Sequence, residues 1–281
     1  MKTRLDSFRD AFTFRLPYFI VRKSFSALVG QRRNEMWSKS PLSHLLTPVT
    51  LPDGCRVLWS WDQDAFWFRE MVKEIYEDRV YERCFQVETG EVVVDVGANI
   101  GVFTLHAWKK IGKQGKVVSI EPESKNYRLL CTNTRVNNCR NVFPLNVALS
   151  DFEGEAAFYV KDVGVEHTLL PKTALGFDTR TTRVVQVEVR TLSSVLCHLG
   201  IRAVDFLKID VEGSEMEVLK GAVDFLSDKR IKKISVAAYH DREESKMIRE
   251  YLQKVGYHVS SFRNEGLFHF PLEHVYGISD N

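Results

Sequence analysis

The sequence predicts an α/β protein built on an open, doubly wound sheet that is mostly parallel and ends in an antiparallel strand. From residue 90 onward, short runs rich in β-branched residues alternate with helix patterns of ten or more residues. This order implies parallel strands joined by right-handed crossovers. Near the end, GYHVSSF (256–262) and GLFHFPL (266–272) are separated by three polar residues. That pattern predicts a terminal hairpin, which makes the last strand antiparallel.

Five apolar runs predict the parallel strands. They are EVVVDV (91–96), KVVSIE (116–121), NVFPLNVAL (141–149), AVDFLKID (203–210) and KKISVAAY (232–239). Their apolar character indicates a sheet that is covered on both faces. Helix patterns follow at 100–111 and 125–137. Two further helices are predicted to start at capping boxes, Ser214 with Glu217 and Asp241 with Glu244.

Two other regions complete the predicted organisation. EAAFYV (155–160) and RVVQVEV (183–189) are alternating segments that predict an antiparallel β insertion over one rim of the sheet. Residues 49–89 predict a lead-in strand, turn and amphipathic helix that pack on the core. We therefore divide the chain into an N-terminal extension (1–48), this lead-in (49–89) and a main domain (90–281).

Charge and hydropathy limit the partners that the chain can be expected to have. The net charge of +2 gives no reason to expect a nucleic-acid partner. Residues 1–40 are an exception, with nine Lys or Arg against three Asp or Glu. This basic, aromatic extension could rest on an anionic membrane surface, or pack on the domain or on a second subunit. No apolar run is long enough to span a membrane.

The cysteines and the first residues predict a cytoplasmic protein. The five cysteines are odd in number and form no Cys-x-x-Cys pair, so neither a disulfide framework nor a zinc site is expected. A reducing cytosol fits this cysteine usage best. The opening MKTRLDSFRD carries acidic residues and no apolar segment, so it is not predicted to be a secretory signal.

The first predicted strand leads into a glycine turn, VVVDVGANIG (92–101). Asp95 and Gly97 end the strand, and Gly101 opens the following helix, whose N–H groups favour a carboxylate. Asn99 stands where a dinucleotide-binding turn has its middle glycine, which weakens the alternative of a nicotinamide cofactor. Glu121, at the end of the second strand, can accept hydrogen bonds from both ribose hydroxyls. Together these residues predict a site for S-adenosylmethionine (SAM).

The stretch LKIDVEGSEMEVLKGA (207–222) carries three charges that share one face of the fourth parallel strand. Asp210 and Glu212 are predicted at the carboxyl end of that strand, where ligands bind in such sheets. Lys208 lies deeper and could extend to the rim to pair with either carboxylate. Asp210 could instead form only a structural ion pair with Lys208, and Glu212 could bond only to the adjacent turn. His240, at the end of the fifth parallel strand, is a further candidate.

The motifs VVDVGANIGVFTL, NVALSD (146–151) and LKIDVEGSEMEVLKGA resemble those of the FkbM family of SAM-dependent methyltransferases. The resemblance implies the class I SAM-methyltransferase fold, Rossmann-like, with seven strands and an antiparallel last strand. It also implies methylation of a hydroxyl, often on a sugar or a secondary metabolite. The sequence departs from common family patterns at Ser193 and at the residues preceding His240, which leaves the acceptor open.

Three function classes remain open at this stage. The first is a SAM-dependent O-methyltransferase acting on a glycan or a small metabolite. The others are a nicotinamide-dependent oxidoreductase and a non-catalytic module that keeps the fold. For the first class, Asp210 is predicted to be the general base, with Lys208 stabilising charge nearby and His240 as the alternative base. A metal held by Asp210, Glu212 and His240 is a further alternative, although their spacing matches no standard ligand motif.

Overall fold

The computed structural model describes residues 46–60, 65–161, 167–169, 182–238, 243–265 and 271–280. The predicted extension up to residue 45, and both His240 and Asp241, lie outside these ranges. The strands are β1 (Leu46–Thr50), β2 (Arg56–Ser60), β3 (Val92–Val96), β4 (Lys116–Ile120), β5 (Val142–Leu145), β6 (Ala148–Leu149), β7 (Gly154–Lys161), β8 (His167–Thr168), β9 (Thr182–Arg190), β10 (Val204–Ile209), β11 (Ile231–Ala237), β12 (His258–Glu265) and β13 (Pro271–Ile278). The helices are α1 (Ala65–Tyr76), α2 (Val102–Ile111), α3 (Ser124–Val136), α4 (Leu192–His198), α5 (Glu215–Lys220), α6 (Val223–Ser227) and α7 (Glu244–Lys254).

The main sheet has seven strands in the order β12-β13-β11-β10-β3-β4-β5. The strands from β11 to β5 are parallel, and β13 is antiparallel to both of its neighbours. This arrangement confirms the predicted fold with its terminal hairpin. The three polar residues 263–265, which were predicted to connect the two strands, instead belong to β12, and the second strand is β13 at Pro271–Ile278. The glycine turn follows β3 and the charged stretch lies at the end of β10. Because the two strands are parallel neighbours, the turn and the charges meet at the carboxyl ends of the strands.

The two faces of the sheet are buried in two hydrophobic clusters, as the alternation of side chains requires. Leu207 and Ile209 of β10 belong to the cluster on one face, and Phe206 belongs to the cluster on the other. Lys208 has the same parity as Phe206, so it lies on the second face. That face is covered by α2 and by the lead-in, whose side chains therefore come close to the charged residues.

The lead-in forms a β1–β2 hairpin, α1 and a 3₁₀ turn at Val80–Glu82. β1 begins at Leu46, so the hairpin includes the last three residues that the sequence assigned to the extension. The hairpin is fastened to α3 by the Asn133 side chain, whose Oδ1 accepts a hydrogen bond from the N–H of Leu58 at 2.7 Å. The predicted lead-in thus packs on the face of the sheet that carries Lys208.

The third parallel strand is shorter than the sequence predicted. β5 ends at Leu145, and the next residues leave the main sheet to form β6, which pairs with β9. Asn146 turns the chain, because its side-chain amide donates to the carbonyls of Glu121 and Pro122 at 2.8 and 2.9 Å. Segment 141–149 is therefore two strands in two sheets, and β6 joins the predicted insertion in a four-stranded sheet of order β6-β9-β7-β8.

Within the ranges that the structure describes, no helix has the length and apolar character needed to cross a bilayer.

Candidate active site

The turn between β3 and α2 is shaped by three residues with left-handed backbone angles. Gly97 has φ 75°, Asn99 has φ 50° and Gly101 has φ 93°. A Cβ atom on Gly97 would lie 1.7 Å from the backbone oxygen of Asp210, so only glycine allows the turn to pack against the end of β10. Gly101 caps α2 without a side-chain hydrogen bond, which leaves the first-turn N–H groups available to an anion.

Glu121 lies beside this turn and is almost completely buried. Its carboxylate accepts one hydrogen bond from the N–H of Asn99 at 2.8 Å and one from the N–H of Glu123 at 2.9 Å, on different oxygens. Burial raises the pKa of Glu121 to about 7, although the two N–H donors act in the opposite direction. Each carboxylate oxygen can accept a second hydrogen bond. The arrangement therefore fits a ligand that presents two hydroxyls, as the SAM ribose does.

Lys208 and Asp95 form a buried ion pair across neighbouring strands. They are register partners on β10 and β3, and the Lys208 Nζ lies 3.0 Å from the Asp95 Oδ1. The other Asp95 oxygen accepts a hydrogen bond from the Thr104 hydroxyl at 2.6 Å. Asp95 is thus fully buried, between Lys208 and Thr104.

The main partner of Lys208 differs from the one that the sequence predicted. Its ammonium does not extend to the rim, because only 3% of the residue is exposed. It lies 3.9 Å from the Asp210 Oδ2, farther than from Asp95. Burial alone would lower the pKa of Lys208, but Asp95 and Asp210 outweigh it and raise that pKa above its ordinary value. The residue is therefore a charged cation inside the fold.

Tyr81 of the lead-in forms a hydrogen bond with Asp210, a contact that the sequence did not predict. The Tyr81 hydroxyl donates to the Asp210 Oδ2 at 2.6 Å. The Asp210 Oδ1 is shielded from solvent and has no hydrogen-bond partner among the residues that the structure describes. A buried acceptor without a donor is costly, so this oxygen is suited to a donor supplied by a ligand.

The turn that presents Tyr81 is itself fixed in place. Arg79 enters it with a left-handed φ of 52°, which reverses the chain before the 3₁₀ turn. Glu82 accepts hydrogen bonds from the N–H of Val87 and from Lys110, and it lies 2.6 Å from His106. Burial would raise the pKa of Glu82, but these partners lower it to about 2. Tyr81 is thus presented to Asp210 by a rigid segment.

The turn after Asp210 is closed by Glu215, a residue that the sequence did not mark for this role. The Glu215 carboxylate accepts hydrogen bonds from the N–H groups of Val211 and Gly213, both at 3.0 Å. The predicted capping box at Ser214 is wrong, because Ser214 precedes α5 without a side-chain cap. Glu212 adopts a left-handed φ of 60°, which points to a tight turn at this rim.

A third carboxyl group approaches the rim from α1. Burial raises the pKa of Glu74 to about 8, and the neighbouring charges of Asp210 and Glu212 add to the increase. Glu74 is therefore mostly protonated at neutral pH. Its helix was predicted from the sequence, but its nearness to β10 was not, because the two are far apart in the chain.

The structure brings together most of the predicted site residues. The predicted residues that come together around the glycine turn and the end of β10 are Asp95, Gly97, Asn99, Gly101, Glu121, Lys208, Asp210 and Glu212. Tyr81 and Glu74 were missed, since no spacing or motif marks either residue in the sequence. His240 lies outside the described residues. Within the described part of the chain, no group of three or more His, Cys, Asp or Glu could hold a metal ion.

Comparison with known proteins points to one family. A family model described as the methyltransferase FkbM domain matches residues 95–259. The chain is 30% identical over 218 residues to methyltransferase sdnD of Sordaria araneosa, covering 69% of this chain and 83% of that protein. It is also 30% identical over 233 residues to 31-O-demethyl-FK506 methyltransferase FkbM of Streptomyces tacrolimicus, covering 71% of this chain and 84% of that protein.

Comparison with solved structures agrees on the fold. A crystal structure of methyltransferase FkbM from Methylobacillus flagellatus matches with a TM-score of 0.53 at 19% identity. The match covers 73% of this chain and 47% of that chain, so this chain spans about half the length of that protein. At this level of identity the similarity concerns the fold, which is the class I methyltransferase fold.

Proposed function

The chain belongs to the FkbM family of methyltransferases and uses SAM as its cofactor, and we propose that it methylates a hydroxyl group of a small metabolite or glycan. One relative is named as a methyltransferase of 31-O-demethyl-FK506, which is a hydroxyl-bearing compound by its name. Family membership favours SAM over the nicotinamide cofactor that the sequence alone left open.

Residues around the glycine turn would hold the cofactor. Glu121 would accept hydrogen bonds from the two ribose hydroxyls, and the first N–H groups of α2 would face the carboxylate of the methionine part of SAM. Gly97 keeps the turn free of side-chain atoms where it meets β10. When bound, SAM supplies an electrophilic methyl group and leaves as a neutral thioether.

We propose that Asp210 is the general base. The observation that supports this role is the difference between the environments of its two carboxylate oxygens. Tyr81 fixes Oδ2 at 2.6 Å, while Oδ1 has no hydrogen-bond partner in the described part of the chain. An acceptor hydroxyl must lose its proton in the reaction, and Oδ1 would take it. A base placed in this way typically contributes about 10²–10⁴-fold to the rate.

Glu74 fits a different role at the same rim. Because burial and neighbouring carboxylates raise its pKa to about 8, it retains its proton at neutral pH. A protonated carboxyl can donate a hydrogen bond, so Glu74 would help to orient a polar acceptor beside Asp210. His240 remains the alternative base.

Transfer of a labelled methyl group to a metabolite extract of the source cells tests this function. The protein is incubated with the extract and with SAM that carries tritium in its methyl group, and the labelled product is identified by mass spectrometry and NMR. We expect a methyl ether, which survives mild alkali. Release of the label as volatile methanol would indicate an ester and contradict the proposal. Binding of SAM without transfer to any component would favour the non-catalytic alternative.

A further inference from the structure

Lys208 is surrounded by acceptors that belong to the glycine turn. Its Nζ donates to the carbonyl oxygen of Gly97 at 2.9 Å and lies 3.4 Å from that of Val96. The Asp95 carboxylate at 3.0 Å balances its charge. The three donors of the ammonium are thus directed at the end of β3 and at the turn, while the carboxylate of Asp210 is more distant.

The turn also has hydrogen bonds of its own, because the N–H of Gly101 donates to the carbonyl of Ala98 at 2.9 Å and the N–H of Ile100 donates to the Asn99 side chain at 2.7 Å. On the side of β4, the N–H groups of Gly97 and Ala98 both donate to the carbonyl of Ile120, at 3.0 and 2.9 Å. On the opposite side, the N–H of Asp210 donates to the carbonyl of Val96 at 3.1 Å, and Lys208 donates to that of Gly97. Three of the five residues from Gly97 to Gly101 have left-handed angles, which residues other than glycine rarely adopt. Both flanking strands therefore hold the turn, and on the side of β10 the bond to the carbonyl of Gly97 comes from the Lys208 side chain.

We propose that Lys208 is a positioning residue of the SAM site, which fixes the glycine turn through the carbonyl of Gly97. This role differs from stabilising charge on the acceptor, the role that the sequence suggested. The ammonium faces the turn from inside the fold, and the Tyr81 ring lies 5.2 Å from it on the side of the rim. The inference rests on SAM as the cofactor and is independent of the proposed acceptor chemistry.

The test is the affinity for S-adenosylhomocysteine, the demethylated product, in a variant that removes the pair without leaving a lone buried charge. Asp95→Asn with Lys208→Met neutralises both partners. We expect the affinity, measured by calorimetry, to fall at least about tenfold, because the carbonyl of Gly97 loses its donor. We also expect faster hydrogen exchange of the turn amides in the ligand-free variant.

A second buried ion pair in the same sheet provides a matched control. Lys233 on β11 pairs with Glu91 and donates to the carbonyl of Gln86 at 2.8 Å, nearer the amino ends of the strands. Glu91→Gln with Lys233→Met should lower the melting temperature by a similar amount and leave the affinity for S-adenosylhomocysteine unchanged.

The outcomes separate a positioning role from a purely structural one. Affinity close to that of the wild type in the Asp95→Asn, Lys208→Met variant would overturn the inference. Equal loss of affinity in the control would do the same, since it would trace the effect to stability. If the first variant does not fold, Lys208→Arg replaces it, because a planar guanidinium keeps the charge near Asp95 and changes the geometry of the donors around the carbonyl of Gly97. Wild-type affinity in that variant would also overturn it. Absence of binding by the wild-type protein would instead remove the cofactor assignment.

Discussion

Glu121 is the residue whose environment most directly links the site to pH. Its pKa of about 7 means that the carboxyl changes charge near neutrality in the free protein. Ribose hydroxyls donate best to the ionised form, so ligand binding should lower that pKa. Linkage then requires that the affinity for S-adenosylhomocysteine increases as the pH rises.

The first prediction follows from this linkage. Between about pH 6 and about pH 8 the affinity of the wild-type protein should rise by about tenfold, and Glu121→Gln should bind more weakly with little pH dependence. Calorimetry at three pH values measures both. Glu217→Gln, which alters a partly exposed acid on α5, should retain the wild-type slope. An equal slope in the Glu121 variant would assign the pH dependence to another group.

The second prediction concerns Tyr81, which donates a hydrogen bond to one carboxylate oxygen of Asp210. Tyr81→Phe removes the 2.6 Å hydrogen bond and keeps the ring in its aromatic surroundings. Turnover with the identified acceptor should fall by about 10- to 150-fold, the effect of losing a hydrogen bond to a charged group. The affinity for S-adenosylhomocysteine should remain unchanged.

Tyr257 provides the control for that experiment. Its buried hydroxyl donates to the carbonyl of Ile231 at 2.7 Å, at the opposite end of β11. Tyr257→Phe should cost stability without slowing turnover. If both variants slow turnover equally, the contribution of Tyr81 is to stability alone.

At the scale of elements, the close approach of the turn to β10 depends on a single glycine. The third prediction is that Gly97→Ala abolishes binding of S-adenosylhomocysteine, because the added Cβ would lie 1.7 Å from the backbone of Asp210. Gly90→Ala is the control. Gly90 has a φ of 86° but no atom within 4 Å of an added Cβ, so its replacement costs only the backbone strain of about 1–2 kcal/mol. Retained binding in Gly97→Ala would contradict the packing described for this turn.

The fourth prediction concerns α1, which brings Glu74 to the rim. Its pKa of about 8 in the folded protein lies above the ordinary value of 4.5. Between these two values the folded state binds more protons than the unfolded state, so the free energy of unfolding must decrease as the pH rises. Glu74→Gln should flatten this decrease in denaturant titrations of the ligand-free protein. Glu77→Gln, at an exposed position just after α1, should leave the decrease as it is.

Different elements could be predicted from the sequence to different degrees. The parallel strands and the existence of the terminal hairpin were predicted because their signals are local runs and alternations, but the connection of the hairpin was placed too early in the chain. Segment 141–149 was predicted as one strand, because nothing in the run shows that Asn146 bonds to the carbonyls after β4. The Ser214 capping box was wrong, because the Ser214 side chain accepts no hydrogen bond from α5 and its buried hydroxyl has no partner in the described part of the chain.

For the molecule as a whole, the site combines residues that the sequence marks with residues that only folding brings near. The turn residues and the charges of β10 lie in recognisable motifs, and strand order places both at one edge of the sheet. Tyr81 and Glu74 come from the lead-in, which precedes the segment matched by the family model. Their contact with β10 spans more than a hundred residues of chain, so no local pattern could have indicated it.

The most direct measurement of the central claim compares Asp210→Asn with the wild-type protein in two assays. The affinity for S-adenosylhomocysteine reports the cofactor site, and transfer of the labelled methyl group to the identified acceptor reports the chemistry. We predict affinity within about twofold of the wild type and transfer reduced at least about a hundredfold, because the amide cannot take the acceptor proton. Transfer at the wild-type rate by Asp210→Asn would contradict the account and direct the search for the base to His240.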